Sequence, residues 1–377
     1  MSQLTQSIVK HQHASWVELR SDRLLANLEA LRQRSGTSDA LAVIKANAYG
    51  HGLNEIAKIL DGRVNFFGVA TLREGLELKE RHPGTPVFLF GHPFPHEVSA
   101  AIGANLVLSV SSFDKAKEIS DCSEQLGRQT RVHLKIDTGM GRMGIKVREA
   151  AREIMKIRAL KGILLDGIYM HFPTAETDDD FRAGQVAKFS ALIEDLDRGG
   201  IAFRFRHAQN SAASLNLKTP MLNMIRPGLA LYGIYPGTGF ADAACLEPVL
   251  SLKSRITLIK RIDAGDSVGY GREYRPDRET TIAVLPFGYS HGYPWAAWKK
   301  ACVLYKGKRY PLAGKVSMDY LTVNLGDRKA AEGDTVTLIG EDGDERITAD
   351  ELAGWAGTIP YEVVTRLNPH IPRIVLS

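Results

Sequence analysis

Lys45 closes the apolar run LAVIKA (41–46), and an amine at the end of such a strand is costly unless it is paired or used. Desolvation lowers the pKa of a lysine and makes it a Schiff-base nucleophile, which is the chemistry we expect here; a strand-end charge reaching out to solvent is the plainer alternative. Further polar residues sit at the ends of other apolar runs: Lys135 and Asp137 end RVHLKID, His171 ends LDGIYMH, Asn210 and Ser211 follow FRFRHAQN, and Arg226 lies in MIRPGLA. Ser211 opens SAASLN, and Gly228 leaves the backbone open for close approach, a pairing that suits phosphate. Alone, Ser211 reads more readily as a helix N-cap, and only the combination with Lys45 and Gly228 lifts it. An amine and a phosphate site together suggest pyridoxal phosphate.

These residues converge only if the elements carrying them do. Eight short apolar runs occupy 41–46, 65–70, 86–91, 105–110, 131–137, 165–171, 203–210 and 224–230. The segments between them, such as NEIAKIL and REAAREIMKIRAL, repeat apolar residues three to four apart, as helices packed on a sheet require. Strands alternating with helices predict a parallel sheet, and eight of them predict a (β/α)8 barrel, whose ligands bind at the carboxyl ends of the strands. Thr71 and Glu74 have the spacing of a capping box at the start of one helix.

Past Glu247 and Pro248 the pattern changes. SRITLIKRI, TIAVLPFG, ACVLYKG, LTVNLG and DTVTLIG are separated by turn residues with no long helical interval, so a mainly antiparallel β domain follows. The expected organisation is an N-terminal extension (1–14), a barrel (15–245) and the β domain (246–377).

At 377 residues, 44% hydrophobic and 24% charged, the chain reads as an ordinary globular protein. No apolar run is long enough to span a bilayer, and MSQLTQSIVKHQHAS lacks the apolar core of a secretory signal, so cytoplasm is the expected location. Cys122, Cys245 and Cys302 form no close pair, which argues against a disulfide framework or a cysteine zinc site. The net charge of +5 is scattered among acids, as in Arg73, Glu74, Glu77, Lys79, Glu80 and Arg81, and points to solvated helix faces rather than nucleic acid. Gly139, Gly141 and Gly144 spell GxGxxG, with Asp166 at the spacing of a ribose-binding acid. In a dinucleotide fold that acid ends the second strand, whereas Asp166 begins LDGIYMH. The glycines are better read as letting a loop present Arg142 to an anion.

AVIKANAYGHG (42–52), HLKIDTGMGRMG (133–144), HAQNSAA (207–213), IRPGLALYG (225–233) and AGKVSMDY (313–320) closely resemble alanine racemase motifs, in order and nearly end to end. The resemblance implies a pyridoxal-phosphate enzyme that interconverts L- and D-alanine by a two-base mechanism and supplies D-alanine for peptidoglycan. It implies that Lys45 holds the cofactor, that Tyr49, Ser211, Gly228, Leu229 and Tyr361 surround its phosphate, and that His171 and Asn210 also lie on the cofactor side. Arg226 would face the pyridine nitrogen, disfavouring its protonation and weakening the electron sink, which suits proton return to either face.

Lys45 would serve one face of the substrate. Tyr270, from the partner subunit of a homodimer, would serve the other, supported by His171 and Arg226. Taken alone, Tyr270 reads as a strand aromatic and His171 as a core histidine. Arg142, Tyr289 and Met318 resemble the residues around the substrate carboxylate, with Asp319 in support. The resemblance also implies that Lys135 is carbamylated and holds Arg142; the alternative is an unmodified lysine paired with Asp137. Ser317 stands where some members have Cys, and Leu229 where others have Ile. Racemisation of another amino acid such as serine, a barrel-type amino-acid decarboxylase and a non-catalytic pyridoxal-phosphate carrier remain alternatives. The carrier would not need Tyr270, Tyr289 and Met318, and the decarboxylase's cysteine motif is not evident near Ser317.

Overall fold

A computed structural model describes residues 13–377, so most of the expected N-terminal extension lies outside the described residues. Parallel strands at Asp39–Val43, Phe66–Val69, Val87–Leu89, Val107–Val110, Thr130–Asp137, Ile163–Tyr169 and Phe205–His207 follow one another in chain order, and Met224–Ile225 returns to pair with Asp39–Val43. The last gap is bridged by backbone bonds from Asn223 N to Arg206 O (3.0 Å) and from Arg226 N to Gln209 O (2.8 Å), which nearly close an eight-stranded barrel. Closure explains the strand composition. Phe66, Phe67, Phe88, Leu108, Val132, Leu134 and Ile168 are all buried, because one face packs inside the barrel and the other against helices.

The helices start where the sequence supplies caps. Thr71 caps Leu72–Arg81 with the predicted capping box, and Ser112 caps Phe113–Gln125. Asn210, not Ser211, caps Ser211–Asn216, its side chain accepting from Ala213 N at 3.0 Å. The N-cap alternative for Ser211 is thereby corrected: its Oγ faces the chain after Arg226 instead and accepts from Gly228 N and Ala230 N.

The second domain is built on the antiparallel strands expected from its turn-separated runs, with two additions. Ser15–Arg20, expected with the barrel, pairs antiparallel with Leu250–Arg255 and parallel with Arg373–Leu376, so both ends of the described chain lie in this sheet. Its alternation SWVELR fixes a strand but not which sheet receives it. Short helices Ala349–Ala356 and Pro360–Thr365 also interrupt the β pattern, and the latter brings Tyr361 back to the barrel.

Candidate active site

The carboxyl ends of the barrel strands surround a cavity of about 670 Å³. Lys45, Tyr49, Lys135, Arg142, His171, Asn210, Ser211, Arg226, Gly228, Leu229 and Tyr361 all line it.

Lys45 is positioned by an unusual backbone. After it, Ala46, Asn47, Ala48 and Tyr49 all take φ between +52° and +55°, one left-handed turn that costs L-residues roughly 1–2 kcal/mol each. The turn is held from several sides. Ala46 N donates to Glu74 Oε1 at 2.6 Å, Leu53 N to Asn47 Oδ1 at 2.8 Å, and the Tyr232 hydroxyl to Val43 O at 3.1 Å. Burial and the nearby Arg142 push the Lys45 amine below its ordinary pKa, toward the neutral form that can act as nucleophile or base.

Arg226 is buried and spends its donors on the barrel wall. Its guanidinium donates to Met170 O (2.9 Å) and Ala208 O (3.2 Å), and lies 3.2 Å from His207 Nδ1 and 3.3 Å from His171 Nδ1. Burial lowers its pKa to about 10, so it remains a cation at neutral pH. Burial together with Arg226 and Lys135 pushes His171 down to about 3, so that imidazole is neutral. A guanidinium only donates. His171 therefore accepts at Nδ1 and carries its hydrogen on Nε2.

Lys45, Lys135, Arg142 and Arg226 face one another across a lining with a single carboxylate, Glu176. Burial, Arg142 and Arg226 lower Lys135 to about 8. Asp137 forms no ion pair with it among the described residues, accepting instead from Gly139 N and Gly141 N. Such a cavity favours an anion. The hydroxyls of Tyr49 and Tyr361 have no hydrogen-bond partner among the described residues, and a Cβ on Gly228 would fall 2.6 Å from Tyr49 Oη, so only glycine lets that backbone approach the phenol.

The remaining expected residues are elsewhere in the chain. Tyr270, Tyr289 and Met318 do not line this cavity; they lie on the second domain, with Tyr270 71% and Met318 54% exposed. Two loops there are pinned together by Tyr289 N to Ser317 O (3.1 Å), Ser290 N to Met318 O (3.0 Å) and Ser290 Oγ to Asp319 Oδ1 (3.1 Å). Sequence reasoning passed over Glu74 as anything but a cap, and over Tyr169, whose buried ring lies beneath both Lys135 and Arg226. Tyr169 ends the strand Ile163–Tyr169, two residues before His171, and strand alternation alone would have turned it into the barrel.

Fold and site together define a two-domain barrel protein with an amine set in a cationic cavity of a kind that favours an anion. Residues 19–236 match the family profile "Alanine racemase, N-terminal domain", and residues 249–375 match "Alanine racemase, C-terminal domain". The alanine racemase of Desulforamulus reducens is 37% identical over 96% of this chain and 99% of its own. That of Carboxydothermus hydrogenoformans is 37% identical over 95% and 98%. Among solved structures, the Clostridium difficile alanine racemase superposes with a TM-score of 0.91 at 33% identity, covering 97% of this chain and 96% of its own. A histidine racemase from Leuconostoc mesenteroides superposes at 0.88 with 28% identity over 97% and 98%. The chain belongs to the alanine racemase family, whose members are pyridoxal-phosphate-dependent isomerases. No helix among the described residues is long and apolar enough to cross a membrane.

Proposed function

We propose that this chain interconverts L-alanine and D-alanine as a cytoplasmic homodimer, with pyridoxal phosphate bound covalently by Lys45. The observation that carries the reading is the presence of an activated strand-end lysine and a buried, wall-anchored arginine in one cationic cavity. The residues fit a phosphorylated pyridine aldehyde. Ser211, the unpaired phenols of Tyr49 and Tyr361, and the backbone at Gly228 and Leu229 would surround the phosphate, with His171 and Asn210 at the cofactor's side. Arg226 would stand against the ring nitrogen and keep it unprotonated. When bound, the cofactor withdraws electrons from the α-carbon of an amino acid and acidifies its hydrogen.

The chain's own groups move the proton. Lys45 Nζ, shifted toward neutrality by burial, takes or returns it on one face. The second group is Tyr270 of the partner subunit, and the Nε2 hydrogen of neutral His171 is available to stabilise its phenolate. Arg142, Tyr289, Met318 and Asp319 would hold the substrate carboxylate, and a carbamylated Lys135 would give Arg142 the anionic partner it lacks among the described residues. Exposed Tyr270, Tyr289, Trp295, Met318 and Tyr320 support pairing of the second domain with another copy, because large apolar side chains left open in this way mark interaction surfaces.

Borohydride reduction followed by peptide mapping tests the reading: the pyridoxyl group is expected on Lys45, and a label on another lysine overturns the assignment. Racemisation assayed over individual L-amino acids, with and without added cofactor, fixes the substrate. The histidine racemase among the structural neighbours supports a second reading, a racemase of another amino acid, and preference for a substrate other than alanine would select it.

A further inference from the structure

Below the cavity, the barrel interior holds a row of buried polar groups whose hydrogen-bonded end at the site is Arg226. Arg226 Nη1 lies 3.2 Å from His207 Nδ1, and His207 Nε2 lies 2.8 Å from His133 Nδ1. His133 Nε2 then faces Asp166 Oδ2 across 3.7 Å, and neither atom has a hydrogen-bond partner among the described residues. Both imidazoles are fully buried. Burial, reinforced by Arg226, holds His207 well below its ordinary pKa, and burial lowers His133 as well, so both rings are neutral and carry one hydrogen each.

Their positions follow from what each neighbour can do. The guanidinium has donors and no acceptor, so His207 Nδ1 must be bare. The hydrogen of His207 is therefore on Nε2, donated to His133 Nδ1. His133 in turn carries its hydrogen on Nε2, directed at Asp166. Every donor in the row points from Arg226 toward the carboxylate.

The local backbone is built for this arrangement. Val132 pairs with Leu165 and His133 with Gly167, so Asp166 is the extra residue of a β-bulge, and its carboxylate comes round to His133 and to Arg131, whose Nη1 is also 3.7 Å away. Gly167 makes room, since a Cβ there would fall 2.7 Å from the His133 ring. Tyr169 lies parallel to His207, with ring centres 4.9 Å apart, and keeps that imidazole in plane.

We infer that Asp166 is a positioning residue: through the hydrogen order of His133 and His207 it fixes Arg226 as an oriented cation facing the cofactor. Without the carboxylate the order is held from the Arg226 end alone, and reversal, which would set the His207 Nδ1 hydrogen against the guanidinium hydrogens and displace Arg226, costs less because the His133 Nε2 hydrogen no longer faces an anion. The link to the cofactor rests on the proposed role of Arg226, whereas the hydrogen order does not.

Neutron diffraction from deuterium-exchanged holoenzyme crystals is expected to find deuterium on Nε2 of His133 and His207 and none on either Nδ1. Deuterium on Nδ1 of either ring overturns the inference and needs no variant to be folded. In Asp166→Leu, which removes the acceptor at similar volume, we expect kcat to fall about tenfold, with KM held within about twofold and the absorption maximum of the bound cofactor shifted. A folded variant with unchanged kcat and spectrum also overturns it. A cofactor nitrogen turned away from Arg226 in the same neutron map overturns the link to the cofactor, and with it the proposed role of Arg226, while the ring hydrogens are read independently.

Discussion

The barrel half of the proposed site and its second-domain half are prepared in opposite ways. Around Lys45 and Arg226 the wall is buried, hydrogen-bonded and locally strained: four successive left-handed residues are clamped by Glu74, Asn47 and Tyr232, and Arg226 is held by two carbonyls and two histidines. Around Tyr270, Tyr289 and Met318 the side chains are exposed; the Tyr289 and Met318 loops are tied to each other, and the Tyr270 segment is closed on itself by Val268 N to Tyr274 O. The difference teaches that one chain carries a buried, preorganised half around Lys45 and an exposed half around Tyr270, the group proposed to act from the partner subunit. A preorganised site spends folding energy on geometry. The exposed half would acquire its environment only on pairing.

The largest expected effect breaks the comparison at both halves. Lys45→Ala and Tyr270→Phe should each lower racemase activity by roughly 10²–10⁴-fold. Mixing the two variants should then restore part of the activity, because a hybrid dimer holds one site with both groups intact. Native mass spectrometry would establish that hybrids form; hybrids without recovered activity would mean that Tyr270 does not act across subunits.

A smaller effect is expected at the clamp. Glu74 accepts from Ala46 N with one oxygen, and from Ala70 N, Thr71 N and the Thr71 hydroxyl with the other, so it joins the left-handed turn to the next barrel strand and helix. Glu74→Ala removes a cap and frees the strained turn, and should lower unfolding free energy by roughly 1–3 kcal/mol in denaturant titration. Cofactor retention should fall with it, because Lys45 begins that turn. Equal loss of stability with undiminished cofactor content would show that the turn is held well enough without Glu74.

The sequence made the barrel half easy to read and the reasons for its rigidity hard to read. Polar residues at strand ends converge in any parallel barrel, so Lys45, Lys135, His171 and Arg226 could be grouped from spacing alone. KANAY gives no sign of its left-handed turn, since none of its residues is glycine and only Asn47 favours that conformation. Glu74 was legible as a cap because capping is local in sequence, whereas its bond to Ala46 depends on how two barrel strands meet. Asp166 drew notice for a motif it does not serve; its bulge is a mismatch between two strands and leaves no mark on either. Ser15–Arg20 was included in the barrel by its place in the chain and not read as a strand, and its sheet is decided by partners far along the chain.

The smallest expected effect sharpens the comparison inside the barrel half, at Lys135. Its amine lies 5.7 Å above the Tyr169 ring, and among the described residues it has no ion pair. Burial, Arg142 and Arg226 lower its pKa from 10.5 to about 8. The unfolded chain therefore binds this proton more tightly than the folded one, and folding stability should rise with pH between about 8 and 10.5. Below that window the buried charge is a cost, so Lys135→Met should be more stable than the unmodified protein by about 1–2 kcal/mol at pH 7 after screening, and the gain should fade as pH approaches 10.5. Carbamylation would replace the ammonium with an anion beside Arg142 and remove that cost. Adding bicarbonate should then raise the stability of the lysine protein and leave Lys135→Met unchanged, closing the gap between them. A gap indifferent to bicarbonate would mean an unmodified amine, leaving Arg142 to be held by a bound anion.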